Sequence, residues 1–263
     1  MTAEQSAADW WGTSVSRIEP DVVELRGIPV QQLIGRTGFG AMIWLMVRGE
    51  LPTDEQAALL EAALVAGVDH GPHAPSIAVA RMAATCGIGL NNAMASAINT
   101  LGDSHGGAGQ ECVLLLDEIR ARVAGGVALP EAADEVIAAW RERGIRYLPG
   151  FGHRFHTVDP RRDPLLALVD EAAAAGVVTG EHAGAARAVE AALNRGRRKP
   201  VPMNIDGATA VIYAELGFPA PLARGLFVLS RSVGILAHAW EEMGQGRRNK
   251  GPIPPAIRPT YLG

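Results

Sequence analysis

The sequence predicts a mainly α-helical protein. Alanine is abundant and alternating β-branched runs are rare. Segment after segment opens on an acid, a proline or a small polar residue and closes on glycine, the punctuation that helix polarity favours. Strand candidates are scarce: "DVVELRGIPV", 21–30, is the one stretch that reads as strand, a short hairpin around Arg26-Gly27.

The helices follow in order. "TDEQAALLEAALVAG" (53–67) has Thr53 as N-cap, acids in its first turn and Gly67 at its end. "PSIAVARMAATCG" (75–87) and "GLNNAMASAINTLG" (89–102) are rich in small residues, which lets helices approach closely and predicts burial. "GQECVLLLDEIRARVAGG" (109–126) repeats Val113, Leu116, Ile119 and Val123 at helical spacing. "PEAADEVIAAWRERG" (130–144) begins on proline and ends in basic residues and glycine. The pattern continues through 163–176, 181–196, 207–217 and 219–244. The tail "GPIPPAIRPTYLG" is proline-rich and extended.

The chain has 263 residues, 48% of them apolar, enough for a substantial core. A net charge of −4 argues against a nucleic-acid binder. Cys86 and Cys112 sit in apolar runs without metal-ligand spacing, which fits buried thiols in a reducing compartment. "MTAEQSAADW" has no apolar signal core, and no apolar run reaches ~18 uninterrupted residues. A cytoplasmic protein without a membrane partner is the expectation.

Three loops hold polar residues that a connecting loop does not need. "GDSHGGAGQE" places His105 before paired glycines. "YLPGFGHRFHTVDPRRDP" (147–164) places His153 after Gly150 and Gly152, and Arg161 and Arg162 further on. "PMNIDGATA" places Asp206 at a helix start. Each has a plainer explanation as well. His105 serves as a capping histidine, Asp206 as an N-cap, and the arginines as solvated charges; spacing alone does not choose. Metal chemistry is not expected: His70-x-x-His73 and His153-x-x-His156 lie in Gly/Pro loops without a cysteine ligand, and HExxH is absent. GxSxG, a P-loop and GxGxxG are absent too.

Taken in order, "DHGPHAPS", "GDSHGGAGQE", "LPGFGHRFHTVDPR", "MNIDGATA" and "FVLSRSVGILAHAWE" resemble the citrate synthase superfamily, and "DHGP" and "NIDG" look most like its citryl-CoA lyase branch. The resemblance runs from about residue 22 to about residue 243. It implies a large helical domain (1–104 and 207–263) and a smaller one (105–206) that closes over coenzyme A. It assigns His105 to the thioester oxygen, His153 to the substrate hydroxyl or carbonyl, and Asp206 to the proton on the acetyl carbon. Substrate carboxylates fall to His70, Arg161 and Arg231. An arginine crossing between subunits is also implied, with Arg258 as the choice and Arg247 or Arg248 as alternatives. Gly150 and Gly152 would border the coenzyme A site, and Arg197, Arg198 and Lys199 would meet its phosphates.

The chemistry asks for these residue types. Splitting a β-hydroxy thioester needs a base for the hydroxyl proton, a donor for the enolate oxygen and an acid for the nascent carbon. Arginine suits a polycarboxylate better than lysine does. The expected activity is therefore citryl-CoA cleavage. Condensation of an acyl-CoA with a 2-oxo acid in the manner of citrate or 2-methylcitrate synthase, and a non-catalytic binding relative, remain open beside it. The expected partners are an acyl-CoA, a di- or tricarboxylic acid and a second copy of the chain, as a homodimer or larger homo-oligomer. The expected cofactor is coenzyme A, as carrier, with no metal.

Overall fold

A computed structural model of the chain describes residues 4, 9–153 and 157–263. It is mainly helical, with one small sheet among the described residues. The chain forms two compact units, residues 1–61 and 62–263.

In the first unit β1 (Ser16–Glu19), β2 (Val22–Leu25) and β3 (Ile28–Pro29) form an antiparallel sheet in that order. The expected hairpin is β2–β3. Arg26 and Gly27 take φ of 51° and 79°, the paired positive values of a tight hairpin turn. An arginine in that conformation needs an anchor. Its Nε and one terminal nitrogen donate to Met46 O, at 2.9 and 2.6 Å. β1 was not expected. It joins through the Pro20-Asp21 turn, where Asp21 takes φ 64°. Helices α1 (Val30–Leu33) and α2 (Phe39–Arg48) follow.

Helix α3 (Asp54–Gly67) starts at a reciprocal cap: Gln56 N donates to Thr53 Oγ1 at 3.2 Å, and Thr53 N to Gln56 Oε1 at 3.0 Å. Then come α4 (Pro75–Ala84), α5 (Leu90–Ile98), α6 (Ala108–Ala124), α7 (Leu129–Glu142), α8 (Arg162–Ala174), α9 (Glu181–Asn194), α10 (Ile205–Glu215) and α11 (Ala220–Gly244). Their order and type match the sequence expectation, with ends moved by a few residues. Helix α5 falls furthest short, because 99–102 turn away at Asn99.

Two cores organise the second unit. Ala74, Ile77, Ala80, Ala84, Ala93, Ala97, Ile235 and Ala239 pack α4, α5 and α11 together. The expected burial of both small-residue helices holds only in part: α5 buries Ala93 and Ala97 and leaves Asn91, Asn92, Ala95 and Ser96 exposed. Around the other, α10 is apolar on nearly every side and packs against α6, α8, α9 and α11. Helix α11 has the length and apolarity to cross a membrane, yet it packs on α4, α5 and α6 and buries Arg231 and Glu242.

The far end of α10 is locked as well. Glu215 accepts backbone N–H bonds from Gly180, His182 and Ala183 at 2.9, 2.8 and 3.1 Å, closing the N-terminus of α9. Burial raises this carboxyl, but the bonds from His182, Ala183 and Gly180 outweigh it and hold the pKa at about 2, against an ordinary 4.5. A depressed carboxyl stabilises the fold above its unfolded pKa and loses that contribution as pH falls through its folded one. The contribution, at most about 3 kcal/mol, is therefore present above about pH 4.5 and fades toward pH 2. Thermal unfolding between pH 7 and pH 3 is expected to show a steep loss of Tm that Glu215→Gln flattens. Parallel curves for the two proteins would refute the assignment.

Candidate active site

The loop before His153 is stapled to the segment before α10. Gly152 N donates to Pro202 O at 2.7 Å, Asn204 N to Gly150 O at 2.9 Å, and Asn204 Nδ2 to Gly152 O at 2.8 Å. Phe151 and Met203 form an antiparallel bridge between them. Gly150, at φ 82°, lies so close to α10 that an added Cβ would sit 2.8 Å from Gly207 Cα and 2.6 Å from Cys112 Sγ. A Cβ on Gly207 would meet Gly150 O at 2.4 Å. Gly150 thus has a packing reason of its own. The staple sets His153 and Asp206 on adjoining segments of one rigid junction.

Asp206 is not the cap of its helix. Asn204 is: its Oδ1 accepts from Asp206 N at 3.0 Å and Gly207 N at 3.2 Å. The Asp206 carboxyl is left for other work. Burial raises its pKa, against the pull of Arg231 and Arg161 and with the help of Asp159. A helix start favours an anion, so burial wins here over the dipole too. Behind it lie buried Cys112 and Tyr213, whose own pKa values burial and the Asp206 charge push up. The back wall is therefore a neutral thiol and phenol.

His105 is fixed in one tautomer. Ser76 N, in the first turn of α4, donates to His105 Nε2 at 3.1 Å, and Ser76 Oγ lies 3.0 Å from the same atom. A backbone N–H only donates, so Nε2 is the acceptor and the ring proton sits on Nδ1. Burial and then the Arg231 charge lower the pKa, so the ring stays neutral. The side chain offers one N–H from a half-buried imidazole.

A third group gathers cationic and imidazole donors. Arg161 grips fully buried Asp159 through Nε and a terminal nitrogen, both at 2.9 Å. Burial raises the Asp159 carboxyl, but these bonds outweigh it and hold it below its usual range. Its charge also acts on His153. Arg161 reaches His70 Nδ1 at 3.4 Å, so His70 carries its proton on Nε2. Burial, followed by Arg161 and Arg231, lowers the His70 pKa. The His70 and His153 rings meet edge to face, centroids 5.4 Å apart. Arg231, 4% exposed, donates through Nε to Gly67 O at 3.2 Å and stacks on Phe227 at 4.9 Å. Its charge is felt at His70, His105 and Asp206 alike.

The structure thus gathers His70, His105, His153, Arg161, Arg231 and Asp206. Arg258 lies apart, on the exposed segment after residue 250, and Arg197, Arg198 and Lys199 form an exposed turn after α9. Arg247 and Arg248 are exposed too. His156 lies outside the described residues. Among the described residues, no cluster of histidine, cysteine, aspartate or glutamate is placed to hold a metal ion. Sequence reasoning missed Ser76, Asp69, Asp159, Asn204 and His238, which hydrogen-bond to these residues or to the turns that carry them. Asn204, just ahead of Asp206, carried the one readable signal, as an equally good N-cap.

A neutral imidazole donor, a second histidine beside buried charge and a raised carboxyl, on a helical scaffold, define an enzyme of the citrate synthase type. The chain belongs to the citrate synthase family: residues 53–260 match the family model described as "Citrate synthase, C-terminal domain". The citrate synthase of Haloferax volcanii is 30% identical over 211 residues, covering 77% of this chain and 51% of that protein. The chain thus spans about half the length of such curated relatives. Among solved structures, citryl-CoA lyase from Hydrogenobacter thermophilus matches with a TM-score of 0.82 and 30% identity, over 96% of this chain and 94% of that one. ATP citrate lyase from Methanothrix soehngenii, solved with citrate and coenzyme A, shares the fold at a TM-score of 0.77 and 20% identity, over 100% of this chain and 45% of that one.

Proposed function

We propose that the chain is a citryl-CoA lyase, cleaving citryl-CoA to acetyl-CoA and oxaloacetate. The observation that carries this reading is the pairing of a neutral, Nδ1-protonated His105 with a raised Asp206 carboxyl. His153 takes the proton of the citryl hydroxyl, and the charge of Asp159 favours the imidazolium that results. The carbon–carbon bond breaks as the hydroxyl becomes the ketone of oxaloacetate. Its electron pair passes to the thioester, and the enolate oxygen meets the Nδ1–H of His105. Protonated Asp206 delivers its proton to the carbon, giving acetyl-CoA. The proton held by His153 leaves to solvent, and Asp206 is reprotonated.

Arg161, Arg231 and His70 hold the acid's carboxylates, and Arg197, Arg198 and Lys199 take the coenzyme A phosphates. Segments 1–104 with 207–263, and 105–206, act as two domains whose closure excludes water, with His105 and Asp206 at the junctions. The protein works in the cytoplasm as a homodimer or larger homo-oligomer, in which exposed Arg258 reaches the neighbouring site. The likeness to the Hydrogenobacter citryl-CoA lyase, at a TM-score of 0.82 and 30% identity, supports the lyase reading.

A second reading is condensation of acyl-CoA with a 2-oxo acid. It is favoured by relatives named citrate synthase and, in Bacillus subtilis, citrate/2-methylcitrate synthase. A non-catalytic binding relative has no need of this full set of polar groups. Purified protein with citryl-CoA separates the three. Acetyl-CoA and oxaloacetate with little free thiol is the expected result. Rapid release of free coenzyme A with citrate would mean a synthase, and no reaction from either direction would refute both enzyme readings.

A further inference from the structure

His70 sits in a turn whose shape is set by its neighbours. Asp69 Oδ2 accepts from Gly71 N at 3.0 Å, so the carboxylate bridges the residue it is meant to present. Gly71 takes φ 74°, which the turn requires. The same oxygen meets His238 Nε2 at 3.3 Å, from the α11 face that also carries Gly234 and Arg231. That face lies against 67–69 without room for a side chain between: a Cβ on Gly234 would stand 2.2 Å from Val68 O.

His238 itself has a fixed tautomer. Arg81 donates to its Nδ1 at 3.0 Å, and guanidinium cannot accept, so the proton is on Nε2 and points to Asp69. Arg81 is anchored in turn by Glu241 and by buried Glu242, each at 2.5 Å, and Glu242 also takes Lys250 at 2.9 Å. Every donor and acceptor in the series has one possible direction.

We infer that His238 is a positioning residue for the acid-binding His70, acting through Asp69 from a ring that touches no substrate. The inference rests on the proposed function, in which His70 holds the acid. Its logic is that of an outer layer orienting the residues that bind. Without the Nε2–H of His238, the Asp69 carboxylate is free to leave Gly71 N, and the turn no longer holds His70 against Arg161.

The test compares His238→Ala with His238→Gln, because glutamine keeps an N–H where Nε2 stood. Oxaloacetate and coenzyme A binding are measured separately by calorimetry, alongside kcat, KM and Tm. His238→Ala is expected to weaken oxaloacetate binding about tenfold, with coenzyme A affinity unchanged, while His238→Gln recovers most of the loss. The His70 imidazole NMR resonance is expected to shift in the alanine variant and return in the glutamine variant. That readout needs no turnover. Equal behaviour of the two variants, parallel loss of both ligands, or an unmoved His70 signal would overturn the inference. Unaltered protein that binds neither oxaloacetate nor citrate would instead refute the proposed function. If His238→Ala does not fold, Asp69→Asn tests the same link, and an unmoved His70 signal there overturns it equally.

Discussion

Asp206→Asn is expected to lower the rate of citryl-CoA cleavage by about 10³-fold or more, with coenzyme A binding retained. A general acid in the carbon-protonation step contributes roughly 10²–10⁴, and asparagine keeps the shape of the side chain while losing the transferable proton. The carboxyl is not used for capping, because Asn204 does that work, so helix α10 keeps its start. Stability points the other way from activity. A carboxyl whose folded pKa is raised above 3.8 lowers stability as pH climbs through that window, since its charge is disfavoured in the native state. The asparagine variant is therefore expected to melt no lower than the unaltered protein at neutral pH. Loss of activity with a fall in Tm would mean a structural role, and full turnover would remove Asp206 from the proton path.

Gly207→Ala is expected to cost the fold about 3 kcal/mol or more, and activity with it. Its Cβ would lie 2.4 Å from Gly150 O, a backbone atom held by the bond from Asn204 N. Neither side can yield without separating the His153 loop from the start of α10. Gly225→Ala is the control: it is in exposed α11 surface with nothing within 4 Å of the added carbon. Removing that helical glycine is expected to stabilise by roughly 0.5–1 kcal/mol. Denaturant midpoints of the two variants decide the matter, and similar midpoints would contradict the close-packed junction.

The helical order from 53 to 244 was legible because capping residues, glycine stops and apolar spacing agree locally. Helix α2, "FGAMIWLMVR", was not: it is apolar on most faces and starts at Gly38 without a side-chain cap, so neither signal marked it. β1 pairs Ser16, Arg17, Ile18 and Glu19 with β2, and no apolar alternation announces it. The residues proposed to react were named through the resemblance, since each motif keeps its residue types together. Their supports were not. Ser76 meets His105, and His238 meets Asp69, only because α4 and α11 bring distant segments together. The tautomers of His105, His70 and His238 follow from their contacts with Ser76, Arg161 and Arg81, and no spacing in the sequence contains them.

In the proposed reaction this chain breaks a carbon–carbon bond and Asp206 protonates the resulting carbon. Running the citryl-CoA reaction in D₂O and weighing the acetyl-CoA tests it most directly. The expected products are oxaloacetate and acetyl-CoA carrying one deuterium in its methyl group, because the Asp206 proton exchanges with solvent. Free coenzyme A and unlabelled citrate as the products would contradict it.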